Sequence, residues 1–136
     1  MIQLHRMDAP LYRHATEIAF GDTDASGLMH FPSVFRYVEA AEHAFLRAND
    51  IHVFDRENGG WPRVHVDCDY RRPMFFGDKI EVQLGISKIG GSSLTWVFEI
   101  WKGEECCAAG SIVTVRVNAV GKPLEIDAAT RAVLGG

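Results

Sequence analysis

Between Phe20 and Pro32 the chain reads FGDTDASGLMHFP. Asp22 and Asp24 stand one residue apart, Gly27 follows, and His30 lies two residues before Pro32. Two chemistries fit such a set. The first is calcium binding, because Asp22-Thr23-Asp24-Ala25-Ser26-Gly27 matches the opening half of an EF-hand loop, with oxygen side chains at positions 1, 3 and 5 and glycine at 6. The match then fails: position 12 is Ser33 instead of a bidentate glutamate, and position 11 is Pro32. The segment ahead of Asp22 alternates like a strand where an EF-hand needs a helix, so no metal is assigned.

The second chemistry is acyl transfer. Asp24 lies shortly before a long helical pattern, whose first turn carries unpaired N–H groups and the positive end of the dipole. A carboxylate beside donors that can hold a developing oxyanion has the parts of an acyl-transfer site. A purely structural reading competes with it. Asp, Thr, Ser and Gly are the residues expected where a strand turns into a helix, as Asx-turns and caps. Asp22 fits that reading well, and Asp24 can fit it too.

The elements around the loop follow from the apolar spacing. HATEIAF alternates, with Thr16, Ile18 and Phe20 on one face, and reads as a strand. PSVFRYVEAAEHAFLRAND places Val34, Val38, Ala41 and Phe45 at helical spacing beside Phe35 and Leu46, with Pro32 suited to the first turn. IHVFDRENGGWPR reads as a loop, broken by Gly59, Gly60 and Pro62. VHVDCDYRR, KIEVQLGISKI, SLTWVFEIWK and CCAAGSIVTVRVN are β-rich, separated by FFGD, by Gly90–Gly91 and by a turn at Gly103. IDAATRAVL predicts a short last helix capped by Asp127. One strand, one long helix and an antiparallel meander make an α+β layer architecture, a single domain over residues 1–136. The strands, about ten residues each, are longer than one helix covers, so a symmetric homo-oligomer is expected.

The whole chain narrows the partners. Of 136 residues, 47% are hydrophobic and 24% charged, and the net charge of −4 lacks the basic field that broad nucleic-acid or anionic-membrane binding needs. No apolar run approaches a membrane span, and MIQLHRMDAP lacks the apolar core of a signal peptide, so a cytoplasmic location is the expectation. Cys68, Cys106 and Cys107 form neither an even disulfide framework nor a metal-ligand spacing, and read as reduced structural thiols.

FGDTDASGLMHFPSVFRYVEAAEHAFLR resembles the hotdog-fold acyl-CoA thioesterases of the 4-hydroxybenzoyl-CoA thioesterase family, whose motif has an aromatic, D-x-D, a small residue and Gly before the central helix. DYRRPMFFGDKIEV, ISKIGGSSLTWVFEI and VRVNAVGKPLEI are similar to later segments of the family, so the resemblance covers nearly the whole chain. It implies a hotdog fold, a long helix wrapped by an antiparallel sheet, in dimers or dimers of dimers with active sites at the subunit interface. It implies Asp24 as catalytic carboxylate, either nucleophile or general base for water. It also implies a thioester carbonyl held by backbone N–H near Phe31 and the Gly27–His30 turn. A thioester is a good electrophile, so an oriented carboxylate and an oxyanion site can suffice with no cofactor.

The chain departs from the family pattern at three positions. His30 stands where relatives carry Trp or Tyr, Phe31 where one branch carries His, and Ser33 where Asn is common. His30 is a candidate for contacting the acyl group or assisting proton transfer; an exposed loop histidine is its plain reading. His30-Phe31-Pro32 also resembles a hotdog dehydratase or hydratase context, in which Glu39 or Glu42 would be the helical acid, although those enzymes lack the D-T-D-A-S-G loop. Otherwise Glu39 is a supporting group facing the site, and Glu42 a solvated helix charge. A non-catalytic acyl-binding protein is the third reading. Candidates for the phosphates and pantetheine of an acyl-CoA are Arg71, Arg72 and Lys88 with Ser92 and Ser93. Trp61, Phe75 and Phe76 are candidates for an acyl or adenine pocket, and core or interface is their simpler role.

Overall fold

The computed structural model describes residues 9–135. Most of the N-terminal stretch read for a signal peptide lies outside them. Strand β1 (Tyr12–Glu17) leads through two 3-10 turns, Phe20–Asp22 and Phe31–Ser33, into helix α1 (Val34–Ala48). Strands β2 (Arg63–Tyr70), β3 (Lys79–Ile89), β4 (Ser93–Lys102) and β5 (Glu105–Val115) follow, and helix α2 (Ala128–Leu134) closes the chain. All five strands form one antiparallel sheet in the order β1-β3-β4-β5-β2. This is the hotdog arrangement, a long helix against one antiparallel sheet.

The spacing of apolar residues explains the packing. Val34, Tyr37, Val38, Ala41, Phe45 and Leu46 are buried on one side of α1, at the i, i+3, i+4, i+7 period of a helix face. They meet Val82, Leu84, Leu94, Trp96, Phe98, Ile100 and Ile112 from the central strands. Each fully buried aliphatic or aromatic side chain of this kind contributes roughly 1.5–3 kcal/mol. Asp127 caps α2 as its position predicts, with Oδ1 accepting from the Thr130 N–H at 2.7 Å. Among the described residues no helix is long and apolar enough to cross a membrane.

Two expectations need correction. The first strand starts at Tyr12 and stops at Glu17, and Phe20 does not share the buried face with Ile18: it sits in a 3-10 turn and is 71% exposed. Alternation carried past the end of the strand, where Ala19 already gives its N–H to the Tyr37 hydroxyl at 2.9 Å. The larger correction is Glu42, which is not a solvated charge. It is 2% exposed, because it lies on the buried face of α1 and its charge partner arrives from β2.

Strand β2 is one of the two edges of the sheet, β1 being the other. A register shift between Arg63 and His65 sets Arg63 opposite Thr114, while Val66, Cys68 and Tyr70 oppose Ile112, Gly110 and Ala108. Its side chains are poorly covered: Val64 is 62% exposed, Val66 42% and Tyr70 47%. An apolar, unpaired edge strand of eight residues is a template for pairing with another chain.

Candidate active site

The Asp24 loop is a small closed hairpin. Thr23 bridges to Met29, the Asp24 N–H donates to the Leu28 carbonyl at 2.8 Å, and the His30 N–H donates to the Asp22 carbonyl at 2.9 Å. The tip turns at Gly27, whose φ of 82° lies in the left-handed region that side chains disfavour. Asp22 anchors the base: its carboxylate accepts from the Tyr37 hydroxyl at 2.7 Å and pairs with Arg36 at 3.1 Å. The strand-to-helix role read for Asp22 and Gly27 therefore matches what they do.

Asp24 does something different. Its Oδ1 accepts from both the N–H and the hydroxyl of Ser26, at 2.8 and 2.6 Å. The Ser26 hydroxyl, then the Ser26 N–H, holds the carboxyl below its ordinary range, so it is ionised at neutral pH. Oδ2 carries no hydrogen bond among the described residues, and the side chain is exposed. The local turn explains one oxygen and leaves the other for chemistry.

One residue past the hairpin, Phe31 opens the second 3-10 turn. Its N–H has no hydrogen-bond partner among the described residues, while its carbonyl accepts from the Tyr70 hydroxyl at 2.5 Å. Tyr70, at the end of β2, thus clamps the peptide that presents the oxyanion candidate. The His30 side chain is exposed, its ring packs edge-on against Phe31 with centroids 5.5 Å apart, and it lies near enough to Asp24 to help lower that carboxyl. Exposed aromatics crowd the loop. Phe31 packs on Tyr70, Phe20 packs on Phe76, and Phe75 bridges to Leu28 and lies under the Lys102 cation.

The other candidates divide into two groups. Arg71 and Arg72 follow Tyr70 directly, both exposed, and both N–H groups donate to the Cys107 carbonyl. Lys88, Ser92 and Ser93 belong to the β3–β4 hairpin, at the opposite end of β3 from the Asp24 loop. The ten steps from Lys79 to Ile89 span about 33 Å, so one chain does not bring that hairpin to its own Asp24. Glu39 also turns away, pairing with Arg63 at 3.3 Å. No contact joins His30 to Glu39 or Glu42 among the described residues, so a histidine–acid pair is not assembled in one chain. Burial pushes Cys68 up to about 11 and raises Cys106 and Cys107 as well, which disfavours thiolate chemistry.

A feature the sequence did not disclose lies beside the second half of α1. Glu42, Phe54, Trp61, Arg63, Trp96 and Thr114 line a cavity of about 370 Å³. The loop over it is pinned by Gly59, where a Cβ would lie 2.2 Å from the Val117 carbonyl, and by paired bonds between Gly60 and Val117. Glu42 Oε2 pairs with Arg63, and Oε1 is buried with no hydrogen-bond partner among the described residues. Burial, with repulsion from Glu39, pushes the Glu42 carboxyl up to about 7 against the pull of Arg63.

The comparisons agree with this architecture. Residues 18–134 match the family model described as the thioesterase-like superfamily. A 1,4-dihydroxy-2-naphthoyl-CoA hydrolase of Nostoc punctiforme is 30% identical over 118 residues, covering 85% of this chain and 74% of that protein. Among solved structures, a 1,4-dihydroxy-2-naphthoyl-CoA thioesterase from Synechocystis is similar with a TM-score of 0.82 at 18% identity, covering 91% of this chain and 95% of that one. A gentisyl-coenzyme A thioesterase is similar with a TM-score of 0.82 at 23% identity, over 90% of this chain and 98% of that one. At those identities the structures speak for the hotdog fold, while the family match spans most of the sequence. The chain belongs to the thioesterase-like superfamily.

Proposed function

We propose that the chain hydrolyses acyl-CoA thioesters in the manner of the 4-hydroxybenzoyl-CoA thioesterase family, with Asp24 as the catalytic carboxylate. Two observations carry this reading: the ionised Asp24 carboxylate keeps one oxygen free of its turn, and the Phe31 N–H, in the 3-10 turn that leads into α1, has no partner among the described residues. As general base, Asp24 takes a proton from water, whose oxygen attacks the thioester carbon. As nucleophile, it forms a mixed anhydride that water then cleaves. In either case the carbonyl oxygen gains charge toward the Phe31 N–H, the C–S bond breaks, and the thiolate leaves to take up a proton. The names of the relatives direct the choice of acyl group to hydroxylated aromatic rings.

The working unit in this reading is a homodimer joined along β2. Arg63 and the cavity stand at one end of that strand, and Tyr70 with its bond to Phe31 stands at the other. Antiparallel pairing of β2 with its copy puts the start of one strand beside the end of the other. The cavity of one chain then faces the Asp24 loop of the second. The β3–β4 hairpin shares the Arg63 end, since Ser93 opposes Val115 and Arg63 opposes Thr114. Lys88, Ser92 and Ser93 of one copy therefore join Arg71 and Arg72 of the other near one coenzyme. The 33 Å separation within a chain becomes proximity between chains.

Thiol release from hydroxyaryl, aryl and aliphatic acyl-CoAs tests the reaction, with a 3-hydroxyacyl-CoA in the panel. Free thiol with a hydroxyaryl preference is expected. Conversion of the 3-hydroxyacyl thioester to the enoyl form without thiol would establish the dehydratase instead, and acyl-CoA binding with no turnover the non-catalytic binder. Mixing inactive Asp24→Asn chains with chains whose cavity mouth is blocked by Ala119→Trp tests the shared site. Recovered activity is expected, because a mixed dimer holds one intact combination; no recovery would place cavity and Asp24 in the same chain.

A further inference from the structure

The turn that joins β3 to β4 has its carbonyls tied to the C-terminal segment. Arg131 Nη2 donates to the Gly90 carbonyl at 2.7 Å and to the Gly91 carbonyl at 3.3 Å. The Ile126 N–H also donates to the Gly91 carbonyl, at 2.8 Å, and the Arg116 N–H donates to the Ser92 carbonyl at 2.7 Å. Arg131 is itself held by its Nε bond to the Ile126 carbonyl at 3.1 Å. Its helix, α2, is fixed by Leu134, which is buried in the core.

The opposite side of the turn is built differently. A trans peptide sets its C=O and the following N–H on opposite sides, and no peptide bond here is cis. Fixing the Gly90 and Gly91 carbonyls on the C-terminal segment therefore aims the Gly91 and Ser92 N–H groups away from it. Neither N–H has a partner among the described residues, whereas the Gly90 N–H is spent on the Ser93 carbonyl at 2.7 Å. Gly91 is exposed, and a Cβ added to it would meet nothing within 4 Å, so this side of the turn is open. Ser92 brings a hydroxyl, and exposed Lys88 brings an ammonium from the same hairpin. Successive backbone N–H groups beside a cation and a hydroxyl suit a phosphate, which offers several acceptor oxygens.

We propose that the Gly91–Ser92 turn, with Lys88, binds a phosphate group of the coenzyme, and that Arg131 is the positioning residue that presents it. The assignment rests on the thioesterase reading for the coenzyme, and on the turn alone for the anion. Arg131 touches no substrate. It fixes two carbonyls, so that the N–H groups joined to them stay aimed outward and unpaired. Its positive charge behind the turn adds to the attraction of the phosphate. Helix α2 thus serves the coenzyme as well as the core.

The test is isothermal titration calorimetry of the intact protein with coenzyme A and with pantetheine, which has the thiol arm but no phosphate. Arg131→Met keeps the aliphatic stem and removes the donors. It is expected to weaken coenzyme A about tenfold, the worth of one charge-assisted hydrogen bond, and to leave pantetheine binding as it is. Lys88→Met, at an exposed position, is expected to weaken coenzyme A similarly, and it decides the matter if Arg131→Met does not fold. In turnover, Arg131→Met should raise KM for an acyl-CoA by the same factor with kcat retained, a split that a merely loosened fold would not produce. Coenzyme A bound equally well by wild type and both variants, or pantetheine weakened as much as coenzyme A, would overturn the assignment. Inorganic phosphate bound by wild type as tightly as coenzyme A would make the turn a site for the free ion and also overturn it, as would no binding of coenzyme A. Coenzyme A held through Lys88 and Arg131 in a chain that releases no thiol would refute the thioesterase and leave the site. Thiol release from an acyl-CoA at unchanged KM in both variants would do the reverse.

Discussion

The loop that leads into α1 and the buried face of α1 itself hold carboxylates under opposite conditions. In the loop, Asp24 is exposed, held by its own neighbour Ser26, and pushed toward ionisation. On the helix, Glu42 is buried, held by a residue twenty-one positions away, and pushed toward protonation. The difference lies in what each environment supplies. Local backbone and hydroxyl donors stabilise the charge on Asp24 with little burial. Removing Glu42 from water penalises its charge, and one guanidinium offsets only part of that cost. A carboxylate held ionised at the surface by local donors and a carboxyl held in the interior by one cation from another strand follow from those two settings.

The largest effect that separates them is on stability. Arg63→Leu strands a buried carboxyl and is expected to cost about 3–5 kcal/mol in denaturant unfolding. The double variant Glu42→Leu with Arg63→Leu should recover most of it, since no buried charge remains. A double variant no more stable than the single one would mean that Arg63 acts by packing instead.

The pH dependence of folding comes next. The Glu42 carboxyl rises on folding from the ordinary 4.5 to about 7, so between those values the folded chain holds the proton more tightly than the unfolded one. Its contribution is complete below about 4.5 and is lost as pH rises through 7. Burial lowers His43 on the same helix, which acts in the opposite direction below its ordinary 6.5. The difference in melting temperature between wild type and Glu42→Gln isolates the Glu42 part. Wild type should lose stability relative to the variant from pH 5 to 7.5, and parallel curves would contradict the buried assignment.

A smaller effect is expected at the loop. Ser26→Ala removes the hydroxyl that contributes most to lowering the Asp24 carboxyl. The acid limb of the kcat/KM profile should move to higher pH, with the neutral plateau retaining an ionised Asp24. An unmoved limb would separate Asp24 from the titrating step.

These contrasts explain what the sequence disclosed. The bounds of β3 and β4, the Asp127 cap and the Gly27 turn are decided by side-chain period and by bonds within a few residues, and the chain displays both directly. The turn bonding of the Asp24 loop was legible for the same reason. Glu42 was not, because its surroundings come from β2, β5 and the loop before β2. Its one visible signal was position: it follows Ala41 and precedes Phe45 on the apolar side of α1, where a charge needs a partner. Phe20 failed for a related reason, since alternation carries no mark of where pairing stops. Lys88, Ser92 and Ser93 were grouped with Arg71 and Arg72 by residue type, and only the register shows that one chain holds them at opposite ends of the sheet.

The most direct measurement is the rate of thiol release from a hydroxyaryl-CoA by wild type and by Asp24→Asn, at saturating substrate and with folding of both checked by thermal melting. Loss of a catalytic carboxylate should lower kcat by a hundredfold or more at unchanged stability. Equal rates in the two proteins would contradict the role of Asp24 and leave the loop as a turn.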